Sequence, residues 1–360
     1  MTKELKPLTG IRGIAALLIA AYHFSTTKTG NLHNLISLDG AYLAVDAFFI
    51  LSGFVLALSY ARSFSGVITG ENYRSFLLKR FFRIYPAYFC ILLIYVAKIT
   101  VNISGDGAGA KFTTTDYFSN FLMLNTWAID AKAIIGPSWS VCVEIFCYLL
   151  FPLLIMIIAR SRPSALLTML IGFIGIIVVS RSGEGAGGEL DVVFGNTFYP
   201  VLRALCGFSI GIAGFYLWAN SRLVSDTKSG TYLCVALVGL GLAAAIGAPD
   251  IALYVFIAAA VILTATPSSA SQMLFGNPVS HFLGKVSYSL YLIHSLLITV
   301  FVKLVPLLTT KIGYPAAYFS ALLIYLVFSV ACASVSYSLF EVRARKFLEK
   351  VVLRPAPAIA

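Results

Sequence analysis

The chain predicts an all-α, polytopic integral membrane protein of about ten transmembrane helices with both termini in the cytoplasm. Three observations carry that prediction. Hydrophobic residues make up 59% of the 360 residues and charged residues only 11%, at a mean hydropathy of +0.90. A soluble domain is about a quarter charged. Apolar stretches long enough for a hydrocarbon core of ~30 Å recur along the whole chain. Lysines and arginines concentrate in alternate connections, on the side that holds the N-terminus, as cytoplasmic loops require.

The expected spans run roughly over 10–27, 41–60, 83–101, 138–159, 165–181, 197–219, 231–247, 251–265, 283–305 and 315–340. The stretch 251–265 is short for a full crossing, as happens where polar sites interrupt a bundle. Lys3 and Lys6 ahead of the first span imitate a signal peptide. An uncleaved first helix is expected, because cleavage would discard Arg12 and His23. The organisation reads as one transmembrane domain over 1–345 and a short basic, proline-containing cytoplasmic tail over 346–360. No internal repeat of the transporter kind is visible.

Two outer connections are long. Residues 102–137 open with the loop 102–110 and continue into an apolar stretch, 117–127, that is too short to span and is expected to be re-entrant or interfacial. Residues 181–196 carry Glu184, Glu189 and Asp191 among glycines and read as a mobile loop. The net charge of +11 would suggest nucleic acid in a soluble protein. Here loop topology accounts for it, and no aromatic-interleaved basic region supports nucleic-acid binding. Cys90, Cys142, Cys147, Cys206, Cys234 and Cys332 all lie in apolar segments without metal-ligand spacing, so they read as small core hydrophobes with no disulfides and no metal.

Ionisable groups inside a bilayer are expensive and point to function. Arg12 and His23 are eleven residues apart on the first span, so they share a helix face about 16 Å apart along the axis. Asp46 and Glu144 enter the second and fourth spans at depths where they could meet His23. A carboxylate beside an imidazole fixes its tautomer, which suits a general base acting on a hydroxyl. The competing reading is a buried polar network that ties helices together, and for Asp46 that role or tautomer fixing is expected ahead of proton transfer. Arg80 and Arg83 are three apart and share a face at the cytoplasmic end. From spacing alone, positive-inside bias and anionic headgroups account for them. Arg12 adds a third cation at that end and turns the balance toward a polyphosphate ligand. Tyr291, His294 and Arg203 are pocket candidates, against helix packing as the plainer account.

Four runs resemble the acyltransferase-3 family of integral membrane O-acyltransferases. They are Leu8-Thr-Gly-Ile-Arg12 with His23; Asp46-Ala-Phe-Phe-Ile-Leu-Ser-Gly-Phe-Val55 followed by Arg80-Phe-Phe-Arg83-Ile-Tyr-Pro86; Ser138-Trp-Ser-Val-Cys-Val-Glu144 through Pro152; and Phe282-Leu-Gly-Lys-Val-Ser-Tyr-Ser-Leu-Tyr-Leu-Ile-His294. The family's Ser-Val-Glu-Glu-Gln-Phe-Tyr appears here as Cys142-Val-Glu144-Ile-Phe-Cys-Tyr148, which keeps the first glutamate and the tyrosine. The resemblance implies transfer of an acyl group, most often acetyl, from cytoplasmic acyl-CoA to a hydroxyl. The acceptor would be a cell-envelope or exported polysaccharide, or a macrolide or other small molecule. It also implies a multi-pass protein of a bacterial inner membrane, and no appended esterase-like domain is expected. On this reading Arg12, Arg80 and Arg83 hold CoA phosphates, and His23 is the base with Glu144 or Asp46 orienting it. A proton-coupled sugar or drug transporter, using Asp46, Glu144, Arg203 and His23, is the rival class.

Overall fold

The protein is described by a computed structural model over residues 4–27, 38–64, 66–101, 112–220 and 226–353. The loop 102–110 and the end of the tail, 354–360, lie outside the described residues. Regular structure among the described residues is helical throughout. In chain order the helices are α1 (Lys6–Ser25), α2 (Ala44–Tyr60), α3 (Gly70–Thr100), α4 (Thr114–Phe121), α5 (Trp139–Ile158), α6 (Arg162–Ser180) and α7 (Tyr199–Ala219). Then follow α8 (Asp226–Ala245), α9 (Asp250–Thr264), α10 (Ser269–Leu274), α11 (Pro278–Phe301), α12 (Leu304–Ile312), α13 (Tyr314–Ser336) and α14 (Arg345–Val352). Among the described residues, α1, α2, α3, α5, α6, α7, α8, α11 and α13 are long and apolar enough to cross a membrane. The shorter α9 occupies the short stretch expected at 251–265.

Local chemistry explains the helix starts. Proline stands in the first turn of α1, α6, α7, α11 and α13, where its missing N–H has no partner to lose. The Asn277 side chain caps α11 by accepting from Ser280 N at 2.9 Å. α3 begins at Gly70 rather than near 83, with Thr69 accepting from Asn72 N at 3.2 Å. Hydropathy marks the apolar core of a helix, not its end, and lysine and arginine are good helix formers. At 31 residues α3 is about 46 Å long, so Arg83 lies well inside it rather than at its mouth.

The helices divide by burial. On α6, Leu166, Leu170, Ile174 and Ile177 are exposed, as are Val235, Val238 and Leu242 on α8. These are lipid-facing stripes at helical spacing. Cys234 shares this outward side, while Cys142, Cys147 and Cys206 are core residues; all six cysteines are free thiols.

Two parallel helix pairs build the interior. In the first, α1 packs on α11 with backbone almost touching backbone. A Cβ on Gly13 would stand 2.4 Å from Gly284 N, and one on Gly284 would stand 1.9 Å from Thr9 O. Small residues permit such an approach between membrane helices. In the second pair, α2 packs on α7, and a Cβ on Gly211 would stand 2.0 Å from Ile50 O. Because Gly284 meets backbone rather than a movable side chain, Gly284→Ala is expected to cost about 1–3 kcal/mol by overpacking. Thermal unfolding in detergent micelles checks this; an unchanged melting temperature would contradict the packing.

The long connections are tightly held. The segment 112–137 is the short helix α4, closed by a capping box between Thr113 and Asp116, and then a loop wrapped around Asn120. The Asn120 side-chain amide donates to Asp116 O and Lys132 O, and its carbonyl accepts from Ile134 N at 2.9 Å. Burial opposes ionisation of Asp116, but N–H groups of Lys132 and Thr113, both at 2.6 Å, hold its carboxyl below the ordinary range. Residues 181–196, expected as a mobile loop, are packed instead. Leu190 and Val192 are fully buried, and Leu190 N donates to Asp250 at 2.8 Å. Two apolar side chains outweigh the glycines around them.

Candidate active site

Arg12 of α1 and Arg80 and Arg83 of α3 line one cleft. Its walls also include Ser52 of α2, Ser140, Glu144 and Tyr148 of α5, and Tyr288 and Tyr291 of α11. The cleft holds about 770 Å³ of empty space, the solvent at its open mouth included. Arg80 donates to Tyr60 OH at 3.0 Å and lies 5.3 Å from that ring's centre. Among the described residues, no carboxylate comes within ion-pair distance of any of the three guanidinium groups. Converging guanidinium forks with free donor capacity suit the oxygens of phosphate groups.

Glu144 belongs to this cleft and not to His23. It accepts from Ser52 Oγ at 2.5 Å and from Tyr148 OH at 2.7 Å. A second acid, absent from the sequence reading, stands nearby. The stretch Tyr337–Ala344 after α13 is π-helical, and it turns Glu341 inward, 8% exposed. Glu341 accepts from Ser289 N at 3.1 Å and Ser289 Oγ at 2.6 Å and lies in the electrostatic field of Arg12 and Arg83. π-bulges recur at functional sites.

From the arginines the cleft runs along α11 to Tyr291, whose OH meets Ser140 Oγ at 2.7 Å and Pro137 O at 2.8 Å. His294 comes next, its ring centre 5.8 Å from that of Tyr291. His294 is fully buried, and its Nε2 lies 3.1 Å from Nδ1 of His23. His23 Nδ1 is also 3.0 Å from Ile19 O. The contact follows from the parallel packing: Gly13 meets Gly284, and ten residues further along each helix His23 meets His294.

Asp46 sits elsewhere. Both of its oxygens are held by Arg203, from Nε at 2.9 Å and from Nη2 at 2.6 Å, and both side chains are fully buried. The guanidinium also lies 5.2 Å from the Trp139 ring centre and 5.8 Å from that of Tyr42. The expectation that Asp46 or Glu144 orients His23 therefore gives way to a histidine partner. Depth along a span does not say which face a side chain takes, and the parallel α2–α7 register aims Asp46 at Arg203.

The fold and this site define a class: a polytopic helical membrane protein with a polycationic cleft at one end and a pair of contacting imidazoles toward the other. The chain belongs to the acyltransferase-3 family, whose profile, described as an acyltransferase domain, matches residues 6–337. Acyltransferase MdmB of Streptomyces mycarofaciens is 27% identical over 328 residues, covering 82% of this chain and 79% of that protein. Peptidoglycan O-acetyltransferase OatA of Listeria monocytogenes is 25% identical over 332 residues, covering 82% of this chain and 50% of its own length. With the Staphylococcus aureus relatives, of which 49% is covered, the chain spans about half the length of several curated relatives. No solved structure matches it.

Proposed function

We propose that this chain is a membrane O-acyltransferase that moves an acyl group, acetyl in the first instance, from acyl-CoA to a hydroxyl of a cell-envelope or exported glycan. The observation that carries the reading is the convergence of Arg12, Arg80 and Arg83 in one cleft whose α1 wall leads to His23. The arginine end faces the cytoplasm of a bacterial inner membrane, and both chain termini lie on that side. There the arginines grip the donor's phosphates. The climb of about 16 Å from Arg12 to His23 is comparable to an extended pantetheine arm, so the thioester reaches the imidazole.

His23 Nε2 takes the proton of the acceptor hydroxyl as its oxygen attacks the thioester carbonyl. The C–O bond forms, the C–S bond breaks, and the thiolate leaves with the proton returned from His23. An acyl-histidine route would use the same nitrogen. Glu144, with Ser52 and Tyr148, faces the donor, and Asp46 with Arg203 ties α2 to α7. The name of the Listeria relative supports a glycan acceptor. Family membership and the polycationic cleft favour an acyltransferase over a proton-coupled transporter.

The test is transfer of isotope-labelled acetyl from acetyl-CoA to envelope glycans in membranes that carry the protein, read by mass spectrometry. Label on a glycan hydroxyl, absent from membranes without the protein, is the expected result. No label on glycans, secreted metabolites or other small molecules would overturn it.

A further inference from the structure

The imidazole pair between α1 and α11 carries more than a base. Hydrogen counting around it is restrictive. Ile19 O is an acceptor only, so the nitrogen 3.0 Å away, His23 Nδ1, bears a hydrogen. The same nitrogen lies 3.1 Å from His294 Nε2. Two N–H groups cannot face each other at that distance, so His294 Nε2 presents a lone pair and its hydrogen sits on Nδ1. The opposite arrangement would press a His23 lone pair against the Ile19 carbonyl. His23 Nε2 is then left with the free lone pair, which is the form a general base requires.

We propose that His294 is the positioning residue for His23. Together with Ile19 O it fixes the tautomer and ring plane that a carboxylate fixes in other catalytic histidines, and it leaves Nε2 of His23 open to the acceptor hydroxyl. This inference rests on the acyltransferase reading above. His294 is itself held rigidly. It is fully buried, and its backbone carbonyl accepts from Tyr325 OH at 3.1 Å. The rings lie 5.0 Å apart with planes inclined by 34°. The other titratable groups facing the pair are tyrosines: Tyr22 lies edge-on to His23 and Tyr291 lies against His294. Among the described residues, no carboxylate bonds to either ring.

The arrangement costs stability, which argues for a use. His294 Nδ1 is buried without a well-formed hydrogen bond among the described residues, the backbone carbonyls of Leu290 and Tyr291 being its only acceptors, at poor geometry. A phenylalanine at 294 would fill similar space without that cost. The parallel register and its glycine contact hold the unsatisfied nitrogen in place.

The experiment compares His294→Phe and His294→Gln with the native protein, purified as the full chain in lipid nanodiscs, using labelled acetyl transfer to envelope glycans as the readout. Phenylalanine removes the side-chain acceptor for Nδ1–H and leaves only Ile19 O. It should lower kcat about 100-fold or more with the KM for acetyl-CoA unchanged. Glutamine places an oxygen near the Nε2 position and should recover at least about tenfold of that loss, since proton-acceptor geometry rather than ring packing is restored. Nitrogen-15 NMR of the labelled native protein should show His23 Nδ1 protonated and Nε2 bare.

Phenylalanine within twofold of native kcat would overturn the proposal. So would glutamine no better than phenylalanine, or the opposite His23 tautomer, which is read without any variant. Transfer that survives His23→Ala would instead sink the acyltransferase base assignment, so the two failures are distinguishable.

Discussion

His23→Ala is expected to abolish measurable acyl transfer, with a loss of at least 10²–10⁴-fold in kcat from the missing base. The loss should fall on kcat and not on the KM for the donor. His23 lies about 16 Å along α1 from Arg12, and the groups that line the arginine cleft do not include it. The variant should still fold, because the His23 ring contributes no ion pair and only the contacts of Nδ1 with Ile19 O and His294 Nε2, whereas the α1–α11 interface is held by the Gly13–Gly284 approach. Steady-state kinetics on purified protein separate the two parameters. A variant that kept its kcat but bound donor poorly would move His23 into the donor site and out of the chemistry.

Arg203→Leu is expected to produce the largest loss of stability of any single substitution in the interior. It would leave Asp46 as a fully buried carboxylate with neither oxygen paired. Breaking a buried pair by removing one partner costs about 3–5 kcal/mol, and replacing both partners by apolar residues is often neutral or better. Arg203→Leu combined with Asp46→Leu should therefore regain most of the loss. Urea or thermal unfolding in detergent reads the cycle. A double variant as weak as the single one would mean that the pair does more than tie α2 to α7.

The fold class was legible because a membrane imposes one simple rule, long apolar helices, and among the described residues nine helices obey it. The short stretch at 251–265 emerged as the 15-residue α9. Helix ends were less legible. The start of α3 depended on a Thr69 cap that hydropathy does not register. The arginine cluster could be read because charges in apolar surroundings are conspicuous, and Arg12, Arg80 and Arg83 do share a cleft. The partner of His23 was not legible, because depth along a span carries no information about azimuth. One signal was present: a glycine stands ten residues before a histidine in both α1 and α11, and that shared spacing is the register of the parallel pair. Glu341 was not legible either, because nothing in the order of residues announces a π-helical turn.

The proposed division of labour has the arginine cleft gripping the donor and His23 handling the proton. Stabilisation of the purified protein against heat by CoA tests it most directly, on the native chain, on His23→Ala and on Arg80→Gln with Arg83→Gln. Charge-assisted hydrogen bonds contribute roughly 1.5–3 kcal/mol each, so removing two guanidinium groups should weaken CoA binding by two orders of magnitude or more. Equal stabilisation of the native and His23→Ala proteins is expected, and none for the double arginine variant at the same CoA concentration. Undiminished stabilisation of the arginine variant, or its loss in His23→Ala, would contradict it.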